Sequence, residues 1–300
     1  MTTNLRDELF IVTGVSGRTG AAAADALLKA GKRVRVVVRD ATKGAIWCER
    51  GAELACANFN DVEALSRAFS GGYGAYIVSP PQYSSDALFE QADAMARNIE
   101  EAVANSQLQK VVALSSIGAD KRNGTGWIAM NRRLEAYLGR TGIPVSFLRA
   151  AYFMENWGPM VHAARHGELS SFLAPLDRKI PMIATEDIGR IAAEALSEDW
   201  SNVRILELEG PAQYSPMDVA DCVSRALSKL VVPAGVPISS WPQALSGAGF
   251  STAALKGFTE MTKGLNSGHI SFVEENAFDR RTGVVSLNAV ISAMVASEER

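Results

Sequence analysis

The sequence predicts an α/β fold: a doubly wound parallel (Rossmann) sheet with a smaller C-terminal α/β lobe. Two observations carry this expectation. Short, nearly all-apolar runs alternate with longer stretches of helical period, the pattern of parallel strands joined by helical crossovers. A glycine-rich turn, Gly14-Val-Ser-Gly17-Arg-Thr-Gly20, follows the first apolar run directly and opens the Ala-rich stretch GAAAADALLKAG, so that strand, turn and helix N-terminus can face one anion.

Taken in order, strands are expected over 10–13, 34–39, 53–57, 75–78, 111–115 and 145–149. Each is short and almost wholly apolar, as a strand must be when helices cover both faces of its sheet. Helices are expected between them over 19–30 (closed by Gly31), 61–69, 86–104 and 127–140 (ahead of Gly142). Past Ala150, IPMIATEDIGRIAAEALSEDW reads as a strand, an N-cap at Thr185 and a helix, and ILELEGPAQYSPMDVADCVSRAL repeats the arrangement with Ser215 as cap. From residue 231 onward, Pro, Gly and Ser mix with amphipathic stretches such as STAALKGFTEMTKGL, a segment expected to fold over the carboxyl edge of the sheet, where open α/β sheets bind ligands. The expected division is an NAD(P)-binding domain over 1–155 and a substrate lobe over 156–300, with the strands near 180–183 and 205–208 returning to the main sheet or extending it.

Composition narrows the function. With 300 residues, 47% hydrophobic and 21% charged, the chain can bury a substantial core. A net charge of −3 without a basic run argues against nucleic acid as a partner. MTTNLRDELF places Asp7 and Glu8 where a signal peptide needs basic and then apolar residues, and no apolar run approaches ~18 residues, so a cytoplasmic protein with no membrane partner is expected. Cys48, Cys56 and Cys222 lack CxxC spacing and fit reduced thiols. His162 and His166 are four apart but lack HExxH context or an acidic third ligand, so no metal is expected and a helix surface or cleft wall is. Ser115-Ser116 has no Gly-x-Ser-x-Gly elbow, which speaks against a hydrolase.

The glycine turn reads as a cofactor cradle. Gly14 allows the sharp turn, Gly17 the close approach of a pyrophosphate and Gly20 the packing of helix on strand, while Ser16, Arg18 and Thr19 add donors. The end of the second strand selects the nucleotide: Arg39, with Lys43 one turn later, suits a 2′-phosphate and hence NADP(H), and Asp40 leaves NAD(H) open.

At this point VTGVSGRTG, VRVVVRD with Lys43, SPP, VVALSSIGAD, GIPVSFLRAAYFMENW and IPMIATEDIGRIAAEAL together resemble the NmrA-like family of atypical short-chain dehydrogenases/reductases, over roughly residues 9 to 230. The resemblance implies an NADP(H) site on the Rossmann sheet and a substrate cleft between sheet and lobe. Carried over by position, Asn58 and Phe59 would flank the adenine, although many members have Asp at the Asn58 position. Ser79 and Pro80 would line ribose and nicotinamide, with Ser115 and Ser116 below, and Tyr152, Phe153, Met154 and Asn156 would lie near nicotinamide and substrate.

One departure matters. Where short-chain reductases of the usual kind carry Tyr-x-x-x-Lys, a tyrosine that protonates the incipient alkoxide and a lysine that lowers its pKa, this chain aligns Trp127 and Asn131, and neither can do that job. Tyr137 is expected to face elsewhere and Lys121 to sit in a Gly-rich loop. The residues nearest the chemistry are then Asn131, Tyr152 and Trp127, in a cleft that Tyr83, Phe153 and Trp157 make rich in aromatics. The expected function is NADPH-dependent hydride transfer to a small conjugated or aromatic acceptor such as a quinone, with a homodimer allowed for; the alternative is a non-catalytic NADP(H)-binding redox sensor that acts through a protein partner.

Overall fold

In the computed structural model, which describes residues 8–273 and 279–297, the first apolar run is β1 (Leu9–Thr13) and leads into α1 (Arg18–Lys29). The N-terminal segment MTTNLRD lies outside the described residues. There follow β2 (Arg33–Val38), α2 (Ala45–Glu49), β3 (Glu53–Cys56), α3 (Val62–Phe69), β4 (Gly74–Ile77), α4 (Leu88–Asn105), β5 (Lys110–Ser116), α5 (Ile128–Leu138) and β6 (Val145–Ala150). These strands pair in the order β3-β2-β1-β4-β5-β6, and two later strands, Val203–Glu209 and Asp279–Thr282, extend the sheet beyond β6 with every pairing parallel. Strand order therefore reverses between β1 and β4, which opens a crevice at their carboxyl ends.

Alternation along β1 shows why the runs are apolar throughout. Phe10 and Val12 enter a core beneath α1 and the helix Thr185–Ser197, whereas Ile11 enters the opposite core with Leu65, Met95, Ile99 and Leu134. A third cluster, with Met154, Trp157, Met182, Val219 and Ile291, fills the C-terminal lobe. The strand Ile180–Ile183 stays out of the main sheet and joins Tyr152–Phe153 and Gln213–Tyr214 in a small sheet of three. Among the described residues no helix is long and apolar enough to cross a membrane.

Two helix starts differ from expectation. Thr185 is the first helical residue rather than the cap: Ala184 holds the N-cap position, and Glu155 Oε1 accepts the Thr185 N–H (2.9 Å) and hydroxyl (2.6 Å). The acceptor arrives from thirty residues upstream, so the local sequence does not reveal it. α4 begins at Leu88 with Ala87 as its N-cap, and Asp86 lies ahead of it, its Oδ1 accepting from the Ala253 N–H at 3.2 Å. Ser215 caps its helix as expected, in a reciprocal capping box with Asp218.

The outer edge of the sheet is held from within. Asp187, 1% exposed, accepts the Val285 N–H at 2.8 Å and pairs with Arg190 at 3.0 Å. The chain just past the last edge strand is thus tied to a buried carboxylate on the helix Thr185–Ser197.

Candidate active site

The glycine turn is built as the sequence suggests, and its three glycines do different work. Gly14 has φ +69°, and a Cβ there would stand 3.0 Å from Val78 Cβ. Gly20 lies so close to the turn that a Cβ would stand 2.3 Å from the Gly14 carbonyl oxygen and 2.7 Å from that of Thr13, so the fold itself requires glycine. Gly17 is not required by the fold. Its backbone is extended (φ −102°, ψ 173°), and the nearest atom to a Cβ would be Gly14 O at 3.4 Å. It occupies the N-cap position of α1 without any side-chain cap, and α1 has no acidic residue in its first turn, so the helix presents open N–H groups and its positive end.

That turn lines one end of a continuous cavity of about 1280 Å³. Gly14, Ser16, Gly17, Arg18 and Thr19 form the end wall, and Arg39, Phe59, Ser79 and Pro80 follow along the carboxyl edge of the sheet. Ser115, Asn131, Trp127, Tyr152, Phe153 and Asn156 line it further on. Three of the expected cofactor residues lie off the cavity wall. Gly20 packs behind the turn. Lys43 is exposed on the short 3-10 turn Ala41–Gly44. Asn58 is exposed, its Oδ1 accepting from the Asn60 N–H at 3.1 Å.

The geometry at the end of β2 separates Arg39 from Asp40. Asp40 caps the 3-10 turn, Oδ1 accepting from the Thr42 N–H at 3.0 Å, and this hydrogen bond holds its carboxyl below the usual carboxylate range. Asp40 is not among the lining residues, whereas Arg39 is and makes no ion pair with any described residue.

Beneath the middle of the cavity lies a network that sequence reasoning missed. Ser115 Oγ donates to Glu135 Oε1 at 2.6 Å, and Arg149 grips the same carboxylate through Nε (2.9 Å) and Nη2 (2.7 Å). The Arg149 and Glu135 side chains are only 7% and 11% exposed. Burial works against the Arg149 charge, but the hydrogen bonds and proximity of Glu135 outweigh it and hold the guanidinium above its ordinary value. Since the Ser115 hydroxyl donates its hydrogen bond to Glu135, Ser115 faces the cavity as an acceptor. A signal was present: Arg149 sits in the otherwise apolar strand VSFLRA, and an arginine in a strand covered on both faces needs a buried carboxylate.

The N-cap residue Trp127 and, one turn into α5, Asn131 both reach the cavity. The Trp127 indole N–H donates to Ala254 O at 2.9 Å, and Tyr83 lies over the ring at 4.0 Å between centroids with a 32° tilt. Tyr137 faces away and donates its hydroxyl to Asp93 of α4 at 3.1 Å, while Lys121 pairs with Asp120 at 3.0 Å. Burial pushes the Tyr83 hydroxyl up to about 12 and raises that of Tyr152, so both keep their protons at neutral pH. His162 and His166 are exposed on the lobe.

The far end of the cavity belongs to segments whose convergence the sequence did not show. The helix Thr252–Ser267 and the segment before it contribute Phe250, Phe258, Met261 and Thr262, and the lobe adds Met160 and Phe172. The loop that carries Tyr83 is stitched to that helix: the Ser251 N–H donates to Tyr83 O and the Ser251 hydroxyl to Ser85 O, each at 2.9 Å.

The sequence profile of the NmrA-like family matches residues 6–277. The chain belongs to that family. This NmrA-like protein is 23% identical to the NAD(P)H azoreductase of Xenophilus azovorans, over 84% of its own length and 86% of that protein. It is 22% identical to quinone oxidoreductase 2 of Escherichia coli, over 80% and 82% of the two chains. Among solved structures, the triphenylmethane reductase of Citrobacter sp. superposes with a TM-score of 0.80 at 17% identity, covering 96% of this chain and 99% of that one. The NADPH-dependent quinone oxidoreductase of Escherichia coli complexed with NADPH gives 0.79 at 20% identity, covering 95% and 99%.

Proposed function

We propose that this protein is an NADPH-dependent oxidoreductase that passes hydride to a small conjugated acceptor such as a quinone. The observation that carries the reading is the single cavity that runs from the glycine turn and Arg39, past Ser115, Asn131 and Tyr152, into an aromatic chamber. The azoreductase and quinone reductase relatives point the same way.

The residues fit the cofactor. Gly17 leaves open the space that a pyrophosphate would fill, with the N–H groups of the turn and Arg18 as donors. Arg39 would pair with the 2′-phosphate, with Lys43 adding positive charge from the surface. Phe59 would pack on the adenine, the Asn58 turn would hold that loop, and Ser79 and Pro80 would border the ribose. Ser115, locked as an acceptor, suits a ribose hydroxyl or the nicotinamide amide. When bound, the cofactor supplies hydride; the chain's part is to hold the nicotinamide against the acceptor at about 3 to 3.5 Å. Tyr152 and Phe153 form that approach. Trp127, its N–H committed to Ala254, serves as wall, and the Asn131 amide is a neutral contact for the acceptor.

Trp127 and Asn131 replace the acid and its lysine, so no strong acid stands ready for a localised alkoxide. A quinone does not need one, because its reduced form spreads the charge and takes its proton from water. NADPH oxidation should therefore be rapid with quinones and negligible with unactivated ketones, and Asn131→Ala should retain activity within about tenfold, there being no general-acid contribution of ~100-fold or more to lose. Stopped-flow mixing of the NADPH complex with both panels, against enzyme-free controls, tests this. If no acceptor accelerates NADPH oxidation, hydride transfer is refuted and a cofactor-binding sensor takes its place; rapid ketone turnover would demand another proton donor.

Cofactor choice gives a second expectation. NADPH should bind more tightly than NADH, and Arg39→Ala should erase most of the difference, about ten- to a hundredfold for a charge-assisted pair of about 1.5 to 3 kcal/mol. Asp40, engaged by Thr42, does not compete. Fluorescence titration of both cofactors reads the ratio directly, and equal affinities in the wild type would remove Arg39 from this role.

A further inference from the structure

The two ends of the cavity differ in charge. Among the described residues, the charged side chains that line it are Arg18 and Arg39, both at the glycine-turn end. The lobe end is walled by Phe172, Phe250, Phe258, Met160 and Met261, uncharged throughout.

An aromatic chamber can attract cations, which prefer the open face of a tryptophan. Here Tyr83 lies over one face of Trp127 at 4.0 Å, while Phe250 (5.2 Å, 84°) and Phe258 (5.4 Å, 60°) crowd the indole at steep angles. Phe172 in turn meets Phe258 edge-on at 5.4 Å and 88°. A cation entering this end would surrender its hydration with no carboxylate among the described lining residues to replace it. A neutral ring system gives up little hydration and can extend the same edge-to-face packing. Room is available, since about 1280 Å³ exceeds the roughly 300 to 1,000 Å³ of a usual small-molecule pocket and leaves space beside a dinucleotide.

We infer that the lobe end of the cavity is a binding site for a neutral acceptor of two or more fused or linked aromatic rings, and that it selects against cationic acceptors. The inference rests on the hydride-transfer reading for the word acceptor alone; the selectivity belongs to the chamber. Each further fused ring buries additional apolar area and should tighten binding about fivefold.

The test is calorimetric titration of the NADP⁺ complex, in which no turnover can occur. The probes are duroquinone, 2,3-dimethyl-1,4-naphthoquinone and 9,10-anthraquinone, chosen because substituted or fused ring positions do not add to the exposed Cys48 and Cys56, together with a cationic triarylmethane dye. Affinity should rise along the neutral series, and anthraquinone should bind at least tenfold more tightly than the dye. Phe258→Leu should weaken anthraquinone more than duroquinone, with NADP⁺ affinity reporting separately that the opposite end is intact. Asn131→Asp, which adds a carboxylate without changing shape, should bring the dye's affinity up by about tenfold. A flat neutral series, or a dye that binds the wild type as tightly as anthraquinone, overturns the inference. Tight, ring-dependent binding of the neutral probes without NADPH oxidation in the stopped-flow assay would refute hydride transfer and uphold the chamber's selectivity.

Discussion

Gly17→Val is expected to bind NADPH at least a hundredfold more weakly than the wild type while melting within a few degrees of it. The two halves of this result come from different atoms. Gly17 has a φ of −102° and ψ of 173°, a conformation valine adopts readily, and a Cβ there would meet only Gly14 O, at the ordinary contact distance of 3.4 Å. The added methyl groups project into the cavity in front of the α1 N-terminus, where a pyrophosphate must approach the backbone N–H groups. Gly20→Val supplies the contrast: its Cβ would stand 2.3 Å from the Gly14 carbonyl oxygen, so the turn must open and the variant should fold poorly. Thermal melts and cofactor titrations on both variants separate the effects. Undiminished NADPH affinity in Gly17→Val would reduce the motif to a tight strand-to-helix connection.

The second large effect is expected at Glu135. Replacing it by alanine strips the buried Arg149, 7% exposed, of its bidentate partner and leaves the guanidinium with the weaker fields of Asp120 and Glu207, a loss expected to cost about 3 kcal/mol. In a chain of this size that corresponds to a fall in melting temperature of roughly 5 °C. The double replacement Glu135→Leu with Arg149→Leu should recover much of the loss, because neither half of the buried pair then stays behind without the other. Urea unfolding of Glu135→Leu, Arg149→Leu and the double variant measures the coupling. A Glu135→Ala variant within 1 kcal/mol of the wild type, about the value of an exposed pair, would mean that solvent reaches the Arg149 guanidinium.

The main sheet was legible because its physics is local. β1 to β6 fall within about two residues of the apolar runs, since strands buried on both faces cannot carry solvated residues. The glycine turn was legible for the same reason, its spacing being fixed by one tight connection. What the sequence hid is whatever depends on partners far along the chain. Thr185 looked like a cap because threonine commonly is one, but its acceptor is Glu155. Arg149 needed Glu135, from a different element, to explain it. The aromatic chamber draws Tyr83, Trp127, Phe172 and the pair Phe250 and Phe258 from four separate segments, and no periodicity links the four. Arg39 and Asp40 stood as rivals in the sequence, and the backbone turn at Thr42 places only Arg39 on the cavity.

The tie between Asp187 and Val285 bears on how the chain is made. The contact spans 98 residues, so the helix Thr185–Ser197 leaves the ribosome well before the backbone N–H that its carboxylate will accept. During that interval Arg190 is the partner at hand, and the strand Val203–Glu209 forms that edge of the sheet until the charged strand Asp279–Thr282 covers it. An unpaired parallel edge invites association with other chains. Residues 279–282 thus replace an apolar edge by one carrying Asp279, Arg280 and Arg281, charges that disfavour pairing with other chains, through a non-local step of the kind that slows folding.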